Sequence, residues 1–202
     1  MTKDSSYDII KTVVDKYIDF MEELDGNHYI ADAVPEEMKD YSKPPRFEGT
    51  MRWKAIPSLV TDTEFENLES YLGRKLPASY KFFIQHRHFI EMSLGDYQAV
   101  FFPNLSSNWM QSLQNHMESY PVNLIGRGLI PFADYSDYGV ICFNSNIISK
   151  NNHEYPLVWL DHEDYFEVEQ PLAKNFVQLF EMLEPHLDDW IKSSRENKEE
   201  SA

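Results

Sequence analysis

What most restricts the fold of this chain is the order in which its two kinds of apolar spacing occur. Helical spacing comes first. Ile10, Val13, Val14, Tyr17, Ile18, Met21 and Leu24 mark one face of a helix over 7–24. Lys11, Asp15, Asp19 and Glu22 lie on its other side, and Gly26-Asn27 ends it. Phe65, Leu68, Tyr71 and Leu72 form a second stripe, opened by Thr61 and Glu64 as a capping box and stopped by Gly73. Pro77 sits at the first turn of a third helix carrying Tyr80, Phe83 and Ile84, with Phe82 beside them. From residue 89 short apolar runs take over. Residues 89–94 and 97–102 predict a hairpin through Gly95-Asp96. A helix at 106–118 carries Trp109, Leu113 and Met117. Strands follow at 128–133, 138–143 and 155–160, with turns at 134–137 and 161–164 and loop residues at 144–146 and 150–152. Tyr165 to Val168 is expected to pair back on the last of these strands. A final helix is expected at 172–183, with Phe176, Leu179, Phe180 and Leu183 inward, ended or kinked by Pro185. Helices, then consecutive strands, then a helix predict an α+β fold with a mostly antiparallel sheet flanked by helices, not an alternating parallel one.

Pro35, Pro44, Pro45 and Gly49 make 35–50 read as a linker, with one short helix at 35–40. The expected organisation is an N-terminal helical arm and linker over 1–50, an α+β domain over 51–192 and a polar C-terminal tail over 193–202. The arm is either an extra helix packed on the domain or a separate dimerising or partner-binding segment. Length fits one such domain: 202 residues bury enough surface for a core without staples. The single cysteine, Cys142, allows no internal disulfide, and its neighbours Val140, Ile141 and Phe143 predict a buried thiol. The start of the chain is polar, with no signal-peptide stretch, and no apolar run approaches the roughly 20 residues of a membrane span, so a cytoplasmic protein is expected.

Charge narrows the partners. The formal net charge is -16. Nucleic acid and anionic lipid are disfavoured, because both need a basic footprint; a basic partner is favoured. The acidity is uneven. Residues 1–50 carry 12 acids and 6 bases, residues 51–150 carry 9 and 8, and residues 151–202 carry 13 and 4. Most of the field therefore belongs to the two ends, and most strongly to the last quarter.

No phosphate-binding glycine loop, nucleophile elbow or zinc-binding HExxH helix occurs in the sequence. Three constellations remain. His86, Arg87 and His88, with Asp161 and His162, are either a polar helix terminus that complements the dipole or a metal or general-base set. The two histidines could cooperate only if the helix ended between them, since i and i+2 do not share a face. Asp134, Asp137, Asp161, Glu163 and Asp164 lie on two predicted turns. They bond their own backbone, rim an acidic face for a partner's Lys and Arg, or bind calcium or magnesium, although the spacing departs from the EF-hand pattern. Tyr135, Tyr138, Tyr155, Trp159, Tyr165 and Phe166 surround the same turns. Trp159 is expected in the core, and Tyr135 and Tyr165 as anchors of a protein-binding face steered by the acids.

Trp53-Lys54-Ala55-Ile56-Pro57 and the run from Glu69 to Ile84, with Leu72-Gly73, Leu76-Pro77 and Tyr80, resemble the opening of the SUKH superfamily. Leu129–Asp134, Tyr138–Phe143 and Tyr155–Asp161 fit its middle strands, so the resemblance covers about 51–184. His86-Arg87-His88-Phe89 stands where the family often has Asn-Gly. The superfamily includes yeast cell-wall-synthesis regulators and many bacterial immunity proteins, and it has no shared catalytic residues. The resemblance implies a SUKH-like fold that binds proteins, without cofactor or metal. Its most direct form is an immunity protein that neutralises a basic toxin domain, such as a nuclease, through Asp134, Tyr135, Asp137, Asp161, Glu163, Asp164 and Tyr165. A regulatory or scaffold module is the alternative, and a metal-dependent enzyme using His86, His88, Asp161 and His162 a third.

Overall fold

The computed structural model describes residues 7–95, 98–147 and 154–200. The expected turn residue Asp96 and the loop residues Lys150, Asn151 and Asn152 lie outside them.

The first helical stripe forms α1, Asp8–Glu23. A small antiparallel pair follows, β1 (His28–Ile30) with β2 (Thr50–Arg52). The stretch read as a linker is therefore tied down. It holds one 3-10 turn at Glu36–Met38 and an isolated bridge from Lys39 to Trp53. Next come β3 (Ile56–Pro57) and α2 (Asp62–Leu72). Thr61 and Glu64 close the expected capping box, and Gly73 ends α2 at φ 62°, a conformation open to glycine. Helix α3 spans Ala78–His86, and β4 (Arg87–His88) pairs with β3. Pro77, the residue before α3, has no polar side-chain group to cap it. The carboxylate of Glu154 does so from across the fold, accepting from Ser79 N–H at 3.0 Å and Ser79 Oγ at 2.7 Å.

The main sheet has six strands in the order β10-β9-β8-β7-β6-β5. They are β5 (Met92–Leu94), β6 (Ala99–Phe101), β7 (Leu129–Tyr135), β8 (Gly139–Asn144), β9 (Leu157–Asp161) and β10 (Glu169–Ala173). Each neighbouring pair is antiparallel. Helix α4 (Trp109–Met117) lies between β6 and β7 in the chain. Pro131 occupies an interior strand, where a proline removes a ladder hydrogen bond; the register shifts between Pro131 and Ala133, a bulge that absorbs the loss. The strand that pairs back on β9 is Glu169–Ala173 and not Tyr165–Val168, because residues 162–166 are spent on a turn.

Alternation along the strands divides the core. Ile130, Phe132, Ile141, Phe143 and Leu157 face one side, with the buried residues of α1, α2, α3 and α5 (Phe176–Glu200). Its centre is aromatic: Phe132 and Phe143 lie 4.3 Å apart, and Tyr80, Phe83, Phe101 and Phe180 surround Phe176. Each such side chain, fully buried, contributes roughly 1.5–3 kcal/mol. Leu129, Val140, Cys142, Val158 and Leu160 face the other side, covered by Leu124 and Phe166. Cys142 is fully buried, and burial pushes its thiol well above the usual range.

Helix α5 continues beyond Pro185 to Glu200, so residues 193–200 extend the helix where a separate polar tail was expected. The reason is tertiary. Leu183 and Leu187 are buried on either side of the proline, and Trp190 meets Phe20 of α1 edge-on at 4.9 Å. Lys16 of α1 pairs with Glu184 at 3.1 Å and Asp188 at 2.7 Å, and Arg195 reaches back to Glu23 at 2.7 Å. Part of the C-terminal acidity is thus answered inside the molecule. Ile10, Val13, Val14, Tyr17, Ile18 and Phe20 of α1 belong to the same hydrophobic cluster as the family-like region.

Candidate functional site

Two turns meet at one end of the sheet. The first, between β7 and β8, closes by Tyr138 N–H donating to Tyr135 O at 3.0 Å. The second follows β9. His162 N–H donates to Tyr138 O at 2.8 Å and joins the two. They can come this close because Gly139 pairs with Asp161: a Cβ at 139 would stand 1.8 Å from Leu160 O.

The second turn is wound tightly. Phe166 N–H donates to Asp161 O, Tyr165 N–H to His162 O and Glu167 N–H to Asp164 O. The Asp161 side chain accepts from Glu163 N–H at 2.8 Å, an Asx turn. Tyr165 and Phe166 both have positive φ, 53° and 58°, which costs a non-glycine residue roughly 1–3 kcal/mol each. Two contacts hold them there. The Phe166 ring is buried in the second cluster and meets Tyr120 edge-on at 5.7 Å. Arg127 donates to the carbonyls of Phe166 and Glu167. With Phe166 anchored inward, Tyr165 is turned outward and is 78% exposed. Tyr138 and Val168 are exposed large side chains of the same two turns.

The structure therefore brings Asp137, Asp161, Glu163, Asp164 and Tyr165 together. Asp137, Glu163 and Asp164 are exposed and Asp161 is half-buried; none of the four enters an ion pair with a described residue. Asp134 and Tyr135 are placed differently, as the strand continues through them. Asp134 is half-buried and accepts from the Tyr120 hydroxyl at 2.5 Å. Burial raises its carboxyl above the usual range, against the opposing effects of Tyr120 and His116. Tyr135 stacks on Trp159 at 4.6 Å and packs on the main core. Two of the aromatics grouped with the turns, Tyr155 and Phe166, are buried. Arg127 carries no periodic or motif signal, and only the folded turn shows its role.

The histidines are not assembled into one centre. Helix α3 does end between His86 and His88, but each has its own partners. His86 meets Asp15 of α1 at 2.8 Å. His88 is buried, accepts from Leu59 N–H through Nε2 at 3.0 Å and shares a 3.1 Å bond between Nδ1 and Asn104 O. Asn104 O can only accept, so the ring is held as the Nδ1–H tautomer. His162 is exposed in the sheet-end turn. Among the described residues, no group of three or more His, Cys, Asp or Glu is placed to hold a metal ion. Nor is any described helix long and apolar enough to cross a membrane.

An antiparallel sheet with helices on one side, entered through a capped helix, a Gly73 stop and the Pro77 helix, defines an α+β class of fold. The family is then settled by comparison. Residues 59–182, more than half of the chain, match the model of the SMI1 / KNR4 family (SUKH-1), and the chain belongs to that family. Comparison with curated proteins yields no match.

Proposed function

We propose that this chain is a cytoplasmic immunity protein that binds and neutralises a toxin domain through the sheet-end face. The family membership supports a protein-interaction module. The observation that carries the finer reading is the exposed Tyr165, held outward by Phe166 and Arg127 in a ring of carboxylates without cations of their own. An immobilised aromatic loses little freedom on binding, and unpaired surface charge steers a partner of opposite sign. The partner that fits is basic, as a nuclease is around its phosphate site. The role is recognition and not catalysis: the turn's carboxylates are spent on their own backbone or face solvent beside Tyr165.

The regulator or scaffold alternative draws on the helical arm at 7–24 and the acidic tail. It has less support, because the apolar face of α1 is already taken up in the chain's own core.

The test is co-expression with the toxin domain encoded beside this chain's gene, followed by kinetics of the purified pair. A stable complex and loss of toxicity are expected. Replacing Asp161, Glu163 and Asp164 by their amides should slow association about tenfold at low salt, and Tyr165→Ala should chiefly speed dissociation. Full toxicity in the presence of excess protein, with no complex, would overturn the reading.

A further inference from the structure

On the β5 side of the sheet lies a cleft of about 500 Å³ between α1, α5 and the strands, reaching Asp134 of β7. Its walls are aromatic, with Tyr17, Phe102 and Trp190 among them. Its carboxylates are Glu91 and Asp134, with His116, Ser93 and the polar ends of Tyr17, Tyr29 and Trp190 beside them, and no Lys or Arg lines it among the described residues. The two carboxylates are acceptors. Asp134 already takes the Tyr120 proton on one oxygen. His116 Nδ1 donates to Ser112 O at 2.8 Å. Glu91 is exposed at the rim, yet burial holds its carboxyl above the usual range, and no cation offsets this. Ser93 also lines the cleft; its hydroxyl is buried without a partner, while its N–H donates to the Tyr17 hydroxyl at 3.3 Å.

A cleft with two carboxylates and aromatic rings, and no Lys or Arg among its described residues, is complementary to a donor-rich cation that can stack. The guanidinium is that group: it is planar, carries five N–H donors and sheds water more readily than an ammonium. The β5 edge itself is covered by α1, whose Tyr17 hydroxyl takes the Ser93 N–H, so a partner reaches the cleft with a side chain and not with an added strand. We propose that this cleft receives an arginine side chain of the protein partner. The proposal rests on the reading that the partner is a basic protein, and adds a second contact point and its chemistry.

The experiment is a titration of the full chain with acetyl-Val-Arg-Val-amide, read by amide and indole NMR shifts. The controls are the same peptide with neutral citrulline in place of arginine, and free arginine. The arginine peptide should shift Ser93 and the Trp190 indole and bind at least about tenfold tighter than the citrulline peptide. Glu91→Gln should remove most of that difference, and since Glu91 is exposed the variant keeps its fold. Glu66→Gln, on the exposed side of α2, should leave binding unchanged. Equal binding of the citrulline peptide, or unmoved Ser93 and Trp190 signals, would overturn the proposal. Free arginine binding as tightly as the peptide would also overturn it, by assigning the cleft to a small cation. No toxin enters this titration, so its failure and that of the co-expression test are separate results.

Discussion

His88 shows how a residue whose role spacing leaves open is explained by contacts. In the sequence it belongs to a pair of histidines of undecided role. In the fold its two ring nitrogens join β4 to Leu59 and to Asn104, and the bond from Leu59 N–H needs the neutral ring. Protonation would set Nε2–H against the Leu59 N–H. Burial accordingly lowers the His88 pKa below its ordinary value. The unfolded chain then takes the proton first, so the contribution is intact above about pH 6.5 and is lost as pH falls below it. His28 and His86 are lowered by burial as well and act in the same sense. Asp134 and Glu91, whose pKa values are raised, act in the opposite sense. The comparison that isolates His88 is urea unfolding of the native chain and of His88→Gln between pH 5 and 8. The variant should lose roughly 1–3 kcal/mol at pH 7.5, and its stability should fall less steeply toward pH 5.

At the scale of elements, helix ends and strand turns are where local signals and tertiary contacts divide the work. The N-terminus of α2 is closed by its own residues, Thr61 and Glu64, and was legible for that reason. The N-terminus of α3 is closed by Glu154, 75 positions away in the chain, which no local pattern announces. Glu154→Ala should therefore cost about 1–2 kcal/mol in chemical denaturation, as for a lost N-cap, with the amide exchange of α3 rising first. Pro185 is the converse case. Its local rule says stop, but the apolar stripe from Phe176 to Leu187 continues at helical spacing across it, and packing on α1 outweighs the lost bond. The candidate site follows the same division. Its acids and Tyr165 could be named from turn chemistry, whereas the exclusion of Tyr135 depended on β7 running two residues longer than its apolar stretch.

For the molecule as a whole, the fold decides between the two readings of the arm in favour of a helix packed on the domain. Ile10, Val13 and Phe20 are almost wholly buried, and Asp15, Lys16 and Glu23 are paired with α3, the following Arg87 and α5. Deleting residues 1–26 should abolish cooperative thermal unfolding and disperse no methyl signals in NMR; a soluble, cooperatively unfolding remainder would show that α1 is dispensable. The net charge of -16 is likewise redistributed by folding. One part becomes a seam between α1 and α5, and another remains unpaired at the sheet end. By itself the sequence determined the α+β order, the helix faces, the capping box, the buried Cys142 and the family, since each is written in neighbours a few positions apart. Only the tertiary structure decided which acids are spent, which histidine is neutral and which tyrosine points outward, because those outcomes depend on residues that the chain brings together from far apart.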